Sequence, residues 1–151
     1  MSDLRSIEVD QYLAHPPSRV WRALTDPGLL GRWLMPNDFQ PRVGHHFTFE
    51  AGAFGRAECE VLQIEPERLL RISWRNRSLD TLVTWRLVPE GTGTRMLLEH
   101  SGFDFDDEFQ RAAFGAMGAG WGGDLAEAIA SLLDSLLEDP SDSDGGRTPR
   151  G

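Results

Sequence analysis

A histidine and a serine close the cleanest alternating stretch of this chain. In residues 83–103, Val83, Trp85 and Leu87 share one face of a first strand. Met96, Leu98 and His100 share one face of the return strand, with Thr84, Arg86, Arg95 and Glu99 opposite. Alternation of period two marks a sheet with one dry and one wet face. His100 therefore stands at the end of a dry row, beside Ser101. An imidazole there can orient the polar end of a ligand or move a proton. The plainer reading is a buried strand-end residue held by hydrogen bonds, whose needs alone would explain a histidine there.

The other groups with chemical potential read more plainly. His45 and His46 are neighbours, and neighbours on a strand point to opposite faces, so the pair cannot chelate one metal. No metal site is expected. Cys59 falls on the inward face with Ala57 and Val61, where a cysteine acts as a small hydrophobe. Glu58 and Glu60 beside it disfavour a thiolate. Asp104, Asp106, Asp107 and Glu108 lack the spacing and the glycine of a calcium loop and fit the start of a helix, where the dipole favours acids. Residues 118–123, Gly-Ala-Gly-Trp-Gly-Gly, look like a nucleotide loop in composition only, because they follow a helix and not a strand. P-loop, Gly-x-Ser-x-Gly and His-Glu-x-x-His motifs are missing. No catalytic residue and no cofactor is assigned, and an enzyme is the less favoured reading.

The elements that must position these groups follow from pattern. Residues 6–13 alternate as a first strand, with Ile7 and Val9 inward. Residues 18–25 form a short helix with Val20, Trp21 and Leu24 inward. A second short helix starts at Asp26-Pro27, Asp at the N-cap and Pro at N1, and runs to Trp33 or Leu34. Four or five strands follow as a meander. Phe47 and Phe49 share a face in residues 44–51. Residues 55–64 require a bulge near Val61, because Leu62 and Ile64 break the parity of Cys59 and Val61. Leu70, Ile72 and Trp74 share a face in residues 69–75. The turn of the last hairpin is expected at residues 89–93. From Phe103 the chain reads as helix to residue 138, with Trp121, Leu125, Ala128, Ile129, Leu132, Leu133 and Leu136 at helical spacing. Five glycines between 115 and 123 each cost about 1 kcal/mol relative to alanine in a helix, so a bend, a break or a close backbone approach is expected there. Residues 139–151 read as a disordered polar tail.

Size and charge bound the function. A chain of 151 residues, 40% hydrophobic and 26% charged, fits one domain spanning residues 1–138. Its net charge of −9, to which the last fourteen residues contribute −2, argues against nucleic acid as a partner. No run approaches the ~20 apolar residues of a membrane span, and the first residues carry no secretory signal. A single cysteine fits a reducing cytoplasm. All fifteen basic residues are arginine, which reads as compositional bias.

Strand, two short helices, antiparallel strands and one long helix together predict an α+β fold: a curved antiparallel sheet wrapped around a C-terminal helix. The chain resembles the helix-grip superfamily (SRPBCC) of START lipid-transfer domains, birch-pollen-allergen-like proteins and polyketide cyclases. Within it, the chain is similar to the branch named after activators of heat-shock-protein-90 ATPase. The resemblance rests on residues 17–27, Trp33, residues 83–87, 93–103 and Gly120-Trp121 with the leucine-rich helix after them, and it spans residues 5 to 137. It implies an internal cavity between sheet and helix that takes a small hydrophobic or aromatic molecule. The inferred lining is Trp33, Phe47, Phe49, Cys59, Trp74, Trp85, Met96, His100, Met117 and Trp121. A chaperone-interacting protein and a cyclase- or hydrolase-like enzyme using His100 are the alternatives that the resemblance carries. An exposed edge strand would offer a route to a homodimer.

Overall fold

The alternating segments pair into one six-stranded antiparallel sheet. The computed structural model describes residues 3–52 and 55–137. The strands are β1 (Leu4–Leu13), β2 (His46–Glu50), β3 (Arg56–Glu65), β4 (Leu69–Asn76), β5 (Leu79–Glu90) and β6 (Gly93–Asp104). Their order across the sheet is β1-β6-β5-β4-β3-β2. The first strand thus closes on the last, and the two short helices α1 (Pro17–Thr25) and α2 (Pro27–Trp33) carry the chain from one sheet edge to the other. After β6 come α3 (Glu108–Ala119), a π-helical turn (Gly120–Asp124) and α4 (Leu125–Leu137). This is the α+β helix-grip architecture. The anticipated polar tail lies outside the described residues.

Local chemistry sets the helix starts. Asp26 Oδ1 accepts hydrogen bonds from the backbone N–H of Gly28 at 2.9 Å and Leu29 at 3.2 Å, so two orphan donors of α2 are satisfied. The Asp107 carboxylate does the same for Gln110 N in α3, at 3.1 Å. In α1 the inward residues are Val20, Ala23 and Leu24. Trp21, expected inward, is only half-buried, because Ala23 lies on the stripe that faces the sheet.

Two bulges decide what faces the core. On β3 the register passes from Val61↔Ile72 to Gln63↔Arg71, leaving Leu62 unpaired, which is the bulge that the broken parity required. A second bulge was not anticipated. On β6, Ser101 pairs with Ser6 and Phe103 with Arg5, so Gly102 is the extra residue. Its φ of +99° is a conformation that glycine adopts freely. The extra residue flips the parity, so Phe103 points inward beside His100 and is fully buried. Strand β6 therefore continues to Asp104 and the helix begins at Glu108, later than the sequence pattern suggests. The hairpin turn is also tighter than expected. Pro89 and Glu90 remain in the ladder, paired with Thr94 and Gly93, and only Gly91 and Thr92 turn.

The helical end stays continuous through its glycines. One π turn absorbs the irregularity, with the backbone N–H of Leu125 bonded to the Gly120 carbonyl. Ile129, Leu132, Leu133 and Leu136 of α4 are buried against the sheet, each worth roughly 1.5–3 kcal/mol of burial. The hollow holds a chain of aromatic contacts. Phe49 stacks on Trp74 with centroids 5.0 Å apart, Trp121 stands edge-on to Trp74 at 6.2 Å and to Trp85 at 5.9 Å, and Phe103 lies 4.6 Å from the His100 ring. This ladder fills much of the concavity.

Candidate functional site

His100 is fixed by its strand and by a one-way relay of hydrogen bonds. It pairs with Val83 across β6 and β5, which makes Thr81, two residues earlier on the same face, its diagonal neighbour. The Trp121 indole N–H can only donate, and it donates to His100 Nδ1 at 3.1 Å. The ring proton therefore sits on Nε2, which donates to Thr81 Oγ1 at 2.8 Å. The Thr81 hydroxyl in turn donates to the Trp74 carbonyl oxygen at 2.8 Å. Both ring nitrogens are thus occupied, the side chain is fully buried, and burial pushes its pKa down to about 3. An imidazole in this state is neutral at every physiological pH and has no free nitrogen to take a proton from a substrate.

Cys59 is buried between Phe47 of β2 and Trp74 of β4, its cross-strand partners. Burial, and then the negative charges of Asp38 and Glu58, push its thiol pKa up, so it stays a thiol. His45 precedes β2 and His46 is its first residue, and the two side chains have different partners. His45 Nε2 lies 3.0 Å from the Asp38 carbonyl oxygen, and His46 is an exposed residue of β2.

Between the end of α2, the glycine-rich segment and β4 lies a cavity of about 180 Å³, lined by Leu34, Met35, Ala51, Trp74, Ala116, Met117, Gly120, Trp121 and Leu125. It reaches the surface at Ala116, an exposed residue of α3. A second space of about 10 Å³ lies deeper, against Gln11, Trp33, Trp85, Met96, Trp121, Leu125 and Ile129, among others. Among the described residues, no charged side chain lines either. Two larger depressions, about 490 and 440 Å³, lie elsewhere, walled by side chains such as Glu8, Asp10, Arg86 and Glu99, and Arg56, Glu58, Arg75 and Asp80. Those charged walls suit solvent, whereas the 180 Å³ cavity combines aromatic walls with access from outside.

Of the ten residues anticipated as lining, Trp74, Met117 and Trp121 border the 180 Å³ cavity. Trp33, Trp85 and Met96 border the small inner space, which Trp121 also touches. Phe47, Phe49, Cys59 and His100 are buried but border neither, because the aromatic ladder fills the hollow in front of them. Leu34, Met35 and Leu125 were not anticipated as lining, nor was Thr81 as a partner of His100. Thr81 shares the parity of Val83 and Trp85, so extending the alternation by one step would have found it. Nothing in the sequence marks Leu34 and Met35, which follow the end of α2.

A sequence model of the family described as "Activator of Hsp90 ATPase homolog 1-like protein" matches residues 14–134. The chain belongs to this family. It also has solved relatives. It is 40% identical to protein MLL2253 of Mesorhizobium loti, with a TM-score of 0.78, covering 87% of this chain and 98% of that one. It is 28% identical to protein BH1534 of Bacillus halodurans, with a TM-score of 0.75 and coverage of 88% and 99%. It is 30% identical to CalU16 of Micromonospora echinospora, with a TM-score of 0.71, covering 85% of this chain and 65% of that one. No curated protein matches this family member.

Proposed function

We propose that this domain binds a small, neutral, hydrophobic or aromatic molecule between its sheet and its C-terminal helical segment. The observation that carries this reading is the 180 Å³ cavity, walled by Trp74, Trp121, two methionines and two leucines, with no charged lining residue. A cavity of 150 Å³ with apolar walls takes up benzene, so this volume suits one aromatic ring with a short substituent. Methionine side chains lend such walls adaptability. The cyclase- or hydrolase-like reading has less support, since His100, the residue it would use, has both ring nitrogens engaged.

Two measurements test the proposal. Mass spectrometry of extracts from protein purified without organic additives is expected to find a co-purifying neutral hydrophobic or aromatic molecule. Titration with acetophenone is expected to change tryptophan fluorescence saturably, because Trp74 and Trp121 form the walls. A fluorescence signal that stays flat up to the solubility limit of acetophenone, with nothing co-purifying, would sink the reading.

A further inference from the structure

Trp121 and Leu125 border both the 180 Å³ cavity and the inner 10 Å³ space. They are therefore the partition between the two. On either side of Trp121 stands a tryptophan whose indole N–H has no partner among the described residues. Trp74 borders the outer cavity, Trp85 the inner one, and each is 1% exposed. Both rings meet Trp121 edge-on. An unpaired donor in a dry interior is costly, so a ligand acceptor that reaches it recovers that cost on binding.

The backbone carrying Trp121 is rich in glycine that its own packing does not require. A Cβ added at Gly115, Gly122 or Gly123 would meet nothing within 4 Å. At Gly118 and Gly120 it would make ordinary contacts, 3.9 Å to Ile7 and 3.8 Å to Leu125. None of the five has a positive φ. Neither packing nor backbone conformation in this arrangement calls for glycine, yet each one weakens the helix by about fivefold relative to alanine. Together with the π turn they leave Trp121 on the least stable part of the helical segment.

We propose that Trp121 is a movable partition, and that the single chamber made by its displacement takes a neutral two-ring aromatic molecule whose oxygen accepts from the Trp74 or Trp85 N–H. This rests on the cavity reading above and extends it. One ring fits the outer cavity with the partition in place, so a second ring requires the inner side as well. A charged group is disfavoured because neither space has an ionised side chain to pair with it.

The test uses benzophenone and 1,1-diphenylethylene, which have the same shape but differ in carrying an oxygen or a methylene, with acetophenone as the one-ring reference. Benzophenone is expected to bind about tenfold more tightly than 1,1-diphenylethylene, the scale of one buried neutral hydrogen bond. That preference is expected to vanish in Trp74→Phe or in Trp85→Phe. On benzophenone binding, the Trp121 indole N–H resonance is expected to shift as its bond to His100 breaks. The paired variant Gly122→Ala, Gly123→Ala, which adds no clash, is expected to weaken benzophenone about tenfold or more while leaving acetophenone unchanged. Equal affinity for the two-ring probes, a Trp121 resonance that stays put, or alanine variants without effect would each overturn the partition. If acetophenone binds and benzophenone does not, this inference fails and the cavity reading survives. If none of the three binds, this inference fails, and with nothing co-purifying the cavity reading fails too.

Discussion

The three groups around His100 fix it in one protonation state, and this has a consequence for acid stability. Its folded pKa lies near 3, against an ordinary value of 6.5 that the unfolded chain regains. Between those values the unfolded state binds a proton that the folded state refuses. Stability is therefore complete above pH 6.5 and falls as the pH drops, by up to about 1.4 kcal/mol per unit. The Asp3 and Glu90 carboxyls, held low by hydrogen bonds from Arg5 and Arg95, start from ordinary values of 3.8 and 4.5, so the span from pH 6.5 to 5 lies above their titration. Urea unfolding at pH 7, 6 and 5 is expected to show the decline. In His100→Gln, whose amide can accept from Trp121 and donate to Thr81 but cannot ionise, the decline should be shallower by that amount. An identical slope in both proteins would mean that the folded state takes up a proton at His100 as readily as the unfolded chain does. His100→Ala, by contrast, strands the Trp121 N–H and opens a cavity, and is expected to cost about 2–5 kcal/mol at pH 7.

Glycines in different elements have opposite jobs, and substitution separates them. A Cβ at Gly93, the first residue of β6, would lie 2.5 Å from the Leu13 carbonyl oxygen and collide with the Tyr12 hydroxyl. Gly93→Ala is therefore expected to destabilise by about 1–3 kcal/mol. Gly115 sits in α3 with open space around it, and Gly115→Ala is expected to stabilise by about 0.5–1 kcal/mol. Denaturant midpoints of the two variants should move in opposite directions. This contrast also marks the limit of what the sequence reveals. Strand parity was legible wherever polar and apolar residues alternate, and the bulge at Leu62 showed itself by breaking that alternation. The bulge at Gly102 gave no such sign. His100 and Phe103 are both large and aromatic, so a strand with the parity flip and a helix start without it read alike. The large inward residues were legible as a set. Which of them border empty space was not, because that depends on how Phe49, Trp74, Trp85 and Trp121 stack against one another across four separate elements.

On the scale of the whole molecule, polar ties and the apolar stripe of α4 hold the C-terminal part of the helical segment against the sheet. Gln11 donates to the Ala126 carbonyl at 2.9 Å, His15 Nε2 lies 2.8 Å from Asp134 Oδ1, and Thr94 donates to the His15 carbonyl at 2.7 Å. These ties fasten β1, the chain leading into α1, and β6 to α4. The cavity lies beside the first turn of α4, where α2, α3 and the π turn meet, and none of the atoms in these ties belongs to a residue that lines it, so filling it should leave the clamp intact and add stability. A ligand that binds only the folded state contributes about 2.7 kcal/mol at a hundred times its Kd. For a chain of this length that is roughly 5–10 °C in Tm. Acetophenone near saturation is expected to shift Tm upward on this scale. Ala116→Leu places methylenes in the same space from an exposed helix position and should raise the ligand-free Tm by a smaller step, as cavity-filling changes worth about 0.5–2 kcal/mol do. It should also suppress the acetophenone shift, because side chain and ligand compete for one volume. A full acetophenone shift in Ala116→Leu would place the ligand elsewhere on the molecule. A variant that loses both the gain in stability and the shift would point to a helix displaced by the added bulk, which near-ultraviolet circular dichroism of the Trp74 and Trp121 pair would reveal.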